Sequence, residues 1–286
     1  MKNKICLITG ATAGIGEVTA LKLAGMGATV IGVGRNPAKC DASATQIRAE
    51  TGNSNVEYLL ADLSSQAQIH TLAETFRQKY DRLDVLVNNA GAFHFTRHVS
   101  EDGIEMTFAL NHLGYFLLTN LFLDLLKANA PARIVNVSSS AHYSGKIDFD
   151  DLEMKKRYQS WQAYANSKLA NVLFTYELSR RLVGTGVTAT VLHPGWVATD
   201  FAYNNLRGIL GLFRPFYRLF QRLTAITPEQ GADTIIYLAS SPEVVGITGN
   251  FFTERREKRS LAESYDERVA RRLWEISEKM VDIERG

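Results

Sequence analysis

A tyrosine and a lysine, Tyr164 and Lys168, stand four residues apart within a long run of helical sequence. Residues four apart lie on the same face of a helix, so we expect the phenol and the ammonium group to lie side by side. A free phenol titrates at about pH 10 and is a poor acid or base at neutral pH. A fixed cation nearby favours the phenolate and brings its pKa toward neutrality, where proton transfer is most efficient. The pair alone is a weak signal, but further motifs accompany it.

The first of these motifs is a glycine-rich turn between a short apolar strand and a helix, Thr9-Gly10-Ala11-Thr12-Ala13-Gly14-Ile15-Gly16. Glycines at such a position permit a tight turn and let the backbone approach a pyrophosphate above the helix N-terminus. Glycine-rich turns also occur for packing alone, but strand, turn and helix together predict a dinucleotide site. The residues that we expect to contact the cofactor are Gly10, Thr12, Ala13, Gly14, Ile15 and Gly16.

The elements that must position these motifs alternate between strands and helices. Strands are predicted at Ile5–Thr9, Thr29–Val33, Val56–Ala61, Leu83–Asn88, Arg133–Ser138, Thr188–His193 and Asn250–Phe252. Helices are predicted at Gly16–Met26, Ala38–Thr51, Ser65–Tyr80, Ile104–Ala128, Gln162–Leu182, Pro228–Leu238 and Asp266–Met280. This alternation predicts a doubly wound, Rossmann-type α/β fold, a parallel sheet of about seven strands with helices on both faces. We expect a single domain, 1–286, that includes a 200–227 substrate lid segment and a 264–281 C-terminal helix.

Composition excludes several classes of protein. The 286 residues are 45% hydrophobic and 22% charged, which is typical of a soluble globular protein with a sizeable core. A net charge of +2 gives no reason to expect a nucleic-acid partner. The two cysteines, Cys6 and Cys40, cannot form a disulfide framework, and the first apolar run is too short for a signal peptide or membrane span. We therefore expect a cytoplasmic protein, and no metal site because no two of the six histidines have ligand spacing.

A third motif makes the pattern specific, Asn88-Asn89-Ala90-Gly91 at the end of the fourth predicted strand. Together with the Gly-x-x-x-Gly-x-Gly spacing and the Tyr-x-x-x-Lys pair, it resembles the short-chain dehydrogenases/reductases. The resemblance extends from Lys4 to about Met280. The second half is most similar to the retinol dehydrogenase branch, in the stretches 133–140, 166–174 and 193–195.

This resemblance implies catalytic roles for four residues. Tyr164 would give or take the hydroxyl proton, and Lys168 would lower its pKa and hold the nicotinamide ribose. Ser139 would polarise the reacting carbonyl, although Ser138 and Ser140 remain open alternatives. Asn111, an unfavourable residue in mid-helix, would widen the helix and hold a water on the path of protons to the lysine.

The resemblance also implies a cofactor site along one edge of the sheet. Its further members are Asp62, Leu63, Asn89, Ala90, Gly91, Pro194, Gly195, Val197 and Thr199. The resemblance implies that Asp62 contacts the edge of the adenine; the alternative is that it belongs to the N-cap region of the next helix. NAD-selective sites carry a carboxylate at the end of the second strand, and here that position is Gly34, followed by Arg35. We therefore expect NADP(H), with Arg35 and Thr12 near the 2′-phosphate. An exposed, solvated Arg35 is the alternative.

An unusual segment, 209–223, combines aromatic residues with arginines at every fourth position: Phe213, Phe216, Tyr217, Phe220, Arg214, Arg218 and Arg222. A helix of this sequence has arginines on one face and aromatic rings on another. A lid that closes over a lipophilic substrate is favoured. A helix at a membrane surface, in contact with anionic lipid, is the alternative.

The motifs together predict an NADP(H)-dependent oxidoreductase that interconverts an alcohol and a ketone or aldehyde on a lipophilic substrate resembling a retinoid, steroid or lipid aldehyde. A non-catalytic NADP(H) sensor is one alternative, but all four catalytic positions are filled. A sugar-nucleotide epimerase is another, but the glycine spacing and the chain length disagree with it. The resemblance further implies a homodimer formed through the predicted helices Ile104–Ala128 and Gln162–Leu182.

Overall fold

One eight-stranded sheet forms the centre of the molecule, with strand order β3-β2-β1-β4-β5-β6-β7-β8. The computed structural model describes residues 1–195 and 226–283. Strands β1 to β7 are parallel and β8 is antiparallel to β7. Their bounds are β1 Ile5–Thr9, β2 Thr29–Gly34, β3 Val56–Leu60, β4 Val85–Asn88, β5 Ala132–Val137, β6 Val187–Leu192, β7 Phe251–Thr253 and β8 Arg256–Lys258. The predicted doubly wound α/β fold is confirmed.

The eighth strand is the part of the sheet that the sequence does not predict. All three of its side chains, in Arg256–Lys258, are exposed. Charged residues on an edge strand hinder pairing with another chain, and they also remove the apolar alternation by which a strand is recognised. The two-residue turn before it, Glu254 and Arg255, has positive φ at both positions, 51° and 58°.

Helices cover both faces of the sheet. In the described ranges they are α1 Gly14–Gly25, α2 Pro37–Thr51, α3 Gln66–Lys79, α4 Met106–Ala128, α5 Ser160–Arg181, α6 Pro228–Ser240 and α7 Glu267–Met280. The bounds agree with the predicted ones to within two residues. Helix α1 begins at Gly14, earlier than the predicted Gly16, because glycines carry no local helix signal.

Two apolar cores lie on opposite faces of the sheet. Along β1, Leu7 belongs to the core under α3, α4 and α5, whereas Cys6 and Ile8 belong to the core under α1 and α6. This division follows the two-residue period of a strand. The chain order reverses between β1 and β4, and folds of this kind bind ligands beyond the carboxyl ends of the strands at that point.

The C-terminal helix α7 covers α4 and α5. The Trp274 ring lies 4.8 Å from the Phe116 ring, centre to centre, and stacks on Phe174 at 5.6 Å. Helix α5 is therefore enclosed between the sheet and α7, and its residues from Ser167 to Ser179 are buried. Helix α7 packs on the helices α4 and α5 through which the resemblance implies a homodimer, and the homodimer stays a prediction.

Helix α4 is long and apolar enough to cross a membrane, but 78% of its most apolar window is buried within the protein. Such burial is typical of a core helix. The predicted lid, the aromatic and arginine segment 209–223, Val197 and Thr199 lie outside the described residues, apart from positions 226 and 227.

Candidate active site

Tyr164 and Lys168 lie next to each other on α5, beyond the carboxyl end of β5. The Nζ atom of Lys168 is 5.7 Å from the ring centre of Tyr164 and also 5.7 Å from that of Tyr115 on α4. It donates a hydrogen bond to the carbonyl oxygen of Val137 at 3.3 Å. The lysine is only 3% exposed. The structure thus places the two side chains together, as the four-residue spacing predicts.

The pKa values of the pair differ from the expectation. Burial raises the pKa of Tyr164 to about 12, and a hydrogen bond with the Ser139 side chain opposes this rise. Burial also lowers the pKa of Lys168 to about 7. In the chain alone, desolvation acts against the charged form of both groups. That the ammonium brings the pKa of the phenol toward neutrality stays a prediction for the site with its cofactor.

Ser139 is the serine of the three that reaches the tyrosine. Its side chain forms a hydrogen bond that favours ionisation of Tyr164 and also accepts one from the amide of Ala141 at 3.2 Å. Ser138 is buried and donates instead to the carbonyl oxygen of Lys168 at 2.7 Å, and Ser140 is exposed. Of the three serines, the geometry therefore favours Ser139 beside the reacting group.

Asn111 lies in a π-helical turn, Ala109–Leu113, within α4. Its Oδ1 accepts from the amide of Ala92 at 2.8 Å, and its Nδ2 donates to the carbonyl oxygen of Ala92 and to Ser167 Oγ, both at 3.0 Å. These bonds connect the turn to the stretch after β4 and to the residue preceding Lys168. The predicted widening of the helix at Asn111 is present, because a π turn inserts one residue into the helical repeat.

The glycine turn between β1 and α1 has the form that a pyrophosphate requires. Gly10 and Gly14 have positive φ, 66° and 59°, which side chains rarely adopt. A Cβ on Gly16 would collide with the carbonyl oxygen of Gly10 and with Asn89 Nδ2. Ala13, the exposed N-cap of α1, provides no side-chain cap, so the first amide groups of this helix remain available to an anion. These features fit a bound dinucleotide.

Thr9 and Asn89 support this turn from inside the protein. The Thr9 hydroxyl accepts from the amides of Asn89 and Ala90 at 2.8 and 3.0 Å. The Asn89 side chain donates to the carbonyl oxygens of Thr9 at 2.8 Å and Gly10 at 3.3 Å. Asn89, predicted as a cofactor contact, therefore supports the glycine turn with its amide nitrogen. The sequence reasoning assigned Thr9 no role, although a threonine at the carboxyl end of a strand is a usable signal.

Gly91, two residues after Asn89, lies between the turn and the catalytic residues. A Cβ at this position would lie 3.1 Å from Asn111 Oδ1 and 3.3 Å from Lys168 Nζ. Glycine therefore leaves the edge of the sheet open next to the lysine, where the resemblance places the nicotinamide ribose.

The end of β2 has the features of an adenosine-ribose site. A Cβ on Gly34 would lie 2.6 Å from Thr12 Cγ2 and 2.7 Å from Cys40 Sγ, so even a small carboxylate side chain would have to displace them. Arg35 is exposed and its Nη1 lies 3.3 Å from Asp62 Oδ2. Asp62 also accepts from the amide and hydroxyl of Ser64, so it both caps this turn and orients Arg35. Both predicted residues thus lie together at the surface.

The side chains of two predicted cofactor contacts, Leu63 and Ile15, pack in or against the apolar cores. The Leu63 side chain is 3% exposed and belongs to the core, so only its backbone faces the edge of the sheet. Ile15 packs partly against the opposite core. Gly195, after Pro194, has a φ of 92° and donates its amide to His193 Nδ1 at 3.0 Å, which shapes the loop after β6.

Aromatic side chains border Tyr164 on its substrate side. Phe93 contacts the Tyr164 ring edge-on at 5.7 Å and the Phe95 ring at 5.0 Å, centre to centre. Trp161 lies 6.3 Å from Tyr164 and is 53% exposed. The exposed Trp161 and Phe95 form an apolar rim beside Tyr164. None of the sequence motifs marks these residues.

The described residues contain no group of three His, Cys, Asp or Glu side chains that could hold a metal ion. The site is therefore built from hydroxyl, amide and ammonium groups around a nucleotide-binding turn.

Comparison with known proteins agrees with this geometry. The family model described as short chain dehydrogenase matches residues 4–208. Human retinol dehydrogenase 14 is 46% identical over 296 residues, which cover 99% of this chain and 88% of that protein. Human retinol dehydrogenase 13 is 44% identical, with coverage of 99% and 86%. Human polyprenol dehydrogenase is 40% identical, with coverage of 98% and 86%.

Solved structures show the same likeness. An uncharacterised protein from Mycobacterium paratuberculosis is 32% identical, with a TM-score of 0.80 and coverage of 99% of this chain and 95% of that one. RhlG of Pseudomonas aeruginosa, solved as an NADP active-site complex, is 28% identical, with a TM-score of 0.68 and coverage of 88% and 94%. The chain belongs to the short-chain dehydrogenase/reductase family and is most similar to its retinol dehydrogenase branch.

Proposed function

We propose that this protein is an NADP(H)-dependent oxidoreductase that interconverts a lipophilic alcohol and its aldehyde or ketone, with Tyr164 as the acid and base. The observation that carries the proposal is the meeting of Tyr164, Ser139, Lys168 and Asn111 at one edge of the sheet, beside the glycine turn. An alcohol and carbonyl oxidoreductase is the activity that the retinol dehydrogenase relatives support.

When bound, the cofactor supplies or accepts a hydride at the carbon of the reacting group. In the direction of reduction, Tyr164 Oη gives its proton to the carbonyl oxygen, and Ser139 Oγ donates a hydrogen bond to the same oxygen. The raised pKa of Tyr164 keeps the phenol protonated at neutral pH and ready to donate. Lys168, with a pKa of about 7, is able to return a proton toward the tyrosine. Asn111 holds the polar surroundings of this lysine in place.

The end of β2 supports a preference for NADP(H). The space that a carboxylate would need at position 34 is filled by Thr12 and Cys40, and Arg35 offers a guanidinium at the surface. A guanidinium binds a phosphate through paired, charge-assisted hydrogen bonds. Related structures with bound NADP, such as that of RhlG, support this choice.

The rim of Phe93, Phe95 and Trp161 around Tyr164 supports a lipophilic substrate class. An exposed aromatic rim gains free energy by covering an apolar molecule. Relatives named for retinol and polyprenol, both long unsaturated alcohols, point to the same class.

Replacing Tyr164 with phenylalanine tests the mechanism. The ring and its contacts with Phe93 and Trp161 remain, so NADPH should still bind, as measured by quenching of tryptophan fluorescence. Reduction of retinaldehyde, followed at the absorbance of the nicotinamide, should fall by at least about a hundredfold. The control is Tyr143→Phe, which removes an exposed hydroxyl bonded to the carbonyl oxygen of Arg259 and should keep full activity. Equal activity in Tyr164→Phe and wild type would exclude Tyr164 as the proton donor.

A further inference from the structure

A buried set of polar side chains connects the C-terminal helix to the π turn of the active site. His112 follows Asn111 directly in that turn and is 1% exposed. Its Nε2 lies 2.9 Å from Ser277 Oγ on α7, and Ser277 is fully buried. The imidazole is surrounded by the rings of Phe108, Phe116 and Phe174, where an apolar side chain would pack as well. The polar contact with Ser277 therefore requires an explanation.

On its other side the imidazole faces Asn171 of α5. Burial lowers the pKa of His112 to about 4, and the Asn171 side chain opposes this shift, so the ring is neutral at pH 7 and adjacent to the amide. His112 Nδ1 and Asn171 Oδ1 are both buried without a hydrogen-bond partner among the described residues. With the proton on Nδ1, these two atoms can pair, and the single Ser277 hydroxyl proton then points to Nε2 and not to the carbonyl oxygen of Leu273, 2.8 Å from Ser277 Oγ. With the proton on Nε2, the imidazole donates to Ser277 Oγ, and the Ser277 hydroxyl donates to Leu273.

Asn171 also contacts the π turn itself. Its Nδ2 donates to the backbone carbonyl oxygen of Asn111 at 2.9 Å. This bond joins α5 to the backbone of the π turn. Three helices thus meet at Asn111, through Ser277 of α7, His112 of α4 and Asn171 of α5.

We propose that His112, Asn171 and Ser277 are positioning residues that fix the π turn, so that Asn111 keeps the geometry it needs beside Lys168. They touch neither the substrate nor the reacting atoms, and they act through Asn111. The reason is mechanical: a π turn is strained relative to an α-helix and has fewer regular hydrogen bonds, so side chains must hold it. The C-terminal helix thereby becomes part of the support of the active site. The kinetic part of this inference rests on the proposed oxidoreductase function.

The test compares three variants in the full chain. Ser277→Ala removes the hydroxyl, His112→Leu removes both ring nitrogens, and His112→Asn keeps an amide near the position of Nδ1 while losing contact with Ser277. The matched control is Ser264→Ala, since Ser264 is another buried serine of the C-terminal region, bonded to Ser260 and the carbonyl oxygen of Leu261.

Two measurements are made on each variant. The first is hydrogen exchange of the Ala92 amide, which donates to Asn111 Oδ1 at 2.8 Å and therefore reports the position of Asn111. The second is kcat and KM for retinaldehyde reduction. We expect His112→Leu to speed exchange at Ala92 and to lower kcat, each by about tenfold, with KM and NADPH affinity unchanged. Ser277→Ala should show the same pattern to a smaller extent, and His112→Asn should recover part of the loss.

Ser264→Ala should change neither quantity. Unchanged exchange at Ala92 in both His112→Leu and Ser277→Ala would overturn the inference. The inference would also be overturned if Ser264→Ala lowered kcat as much as His112→Leu does at an equal loss of thermal stability. If the wild-type chain reduces no carbonyl, the proposed function fails, while the exchange measurement still decides whether the three residues hold the π turn.

Discussion

Lys168 should make the stability of the cofactor-free chain depend on pH between 7 and 9. Burial lowers its pKa from the ordinary value of 10.5 to about 7. Over this range the unfolded chain holds the proton, whereas the folded chain gives it up as the pH rises. The unfolded state therefore binds more protons, and the free energy of unfolding increases with pH. As the pH falls from about 10.5 toward 7, the unfolded lysine takes up its proton before the folded one does, so stability declines; below about 7 both states hold the proton and Lys168 causes no further change.

The size of the effect follows from the two pKa values. Each pH unit over which the folded and unfolded chains differ by one proton changes the free energy of unfolding by about 1.4 kcal/mol. At pH 7 the folded lysine is half protonated, so the gain from pH 7 to pH 9 is about 2 kcal/mol rather than the full value. Other groups also titrate in this range, so the quantity to measure is the difference between wild type and a variant that lacks the charge.

Lys168→Met is that variant, because methionine has nearly the same length and no ionisable group. Urea unfolding at pH 7, 8 and 9 gives the free energy of unfolding for both proteins. We expect the variant to be the more stable protein at pH 7, and its advantage to shrink by about 2 kcal/mol at pH 9. Parallel curves for the two proteins would show that Lys168 is fully charged in the folded chain and would refute the reasoning.

Three further changes test other parts of the structure. Arg35→Ala should weaken NADPH binding by about tenfold and leave NADH binding unchanged, as measured by fluorescence titration; an equal loss for both cofactors would contradict the assignment. Thr9→Val keeps the side-chain shape but leaves two amides of the Asn-Asn-Ala-Gly stretch unpaired, so urea unfolding should show a loss of about 1–3 kcal/mol. Replacing Glu254 and Arg255 with Asn-Gly relieves two positive φ angles at the cost of an exposed ion pair with Asp233, and should raise stability by about 1 kcal/mol. A lower melting temperature for the Asn-Gly protein would show that the ion pair matters more than the backbone conformation.

The order of strands and helices is predictable from the sequence, because apolar runs with a period of two or 3.6 report directly on local structure. The catalytic pair is predictable for the same reason. Tyr164 and Lys168 belong to one helix, so their separation along the chain determines their separation in space. The glycine turn, Gly10 to Gly16, is likewise local to one strand and one helix.

Residues that meet only through the fold carry no such signal. His112 and Ser277 are 165 positions apart, and nothing near either one indicates the other. The Tyr58 hydroxyl donates to the carbonyl oxygen of Ala11 in the glycine turn at 2.8 Å, from β3, two strands away from β1 in the sheet. The shift in the pKa of Tyr164 is equally hard to predict from the sequence. Burial determines the direction of the shift, and burial is a property of the packed structure.

Helix α7 supports the π turn from within the same chain. A site whose supporting surface comes from a neighbouring copy is complete only above the dissociation constant of the dimer, and dilution then removes activity. Here Trp274 and Ser277 reach Phe116 and His112 from a covalently attached helix, so the effective concentration of the support is fixed by the chain. The catalytic turn therefore stays supported in a cell that makes only a few copies of the protein.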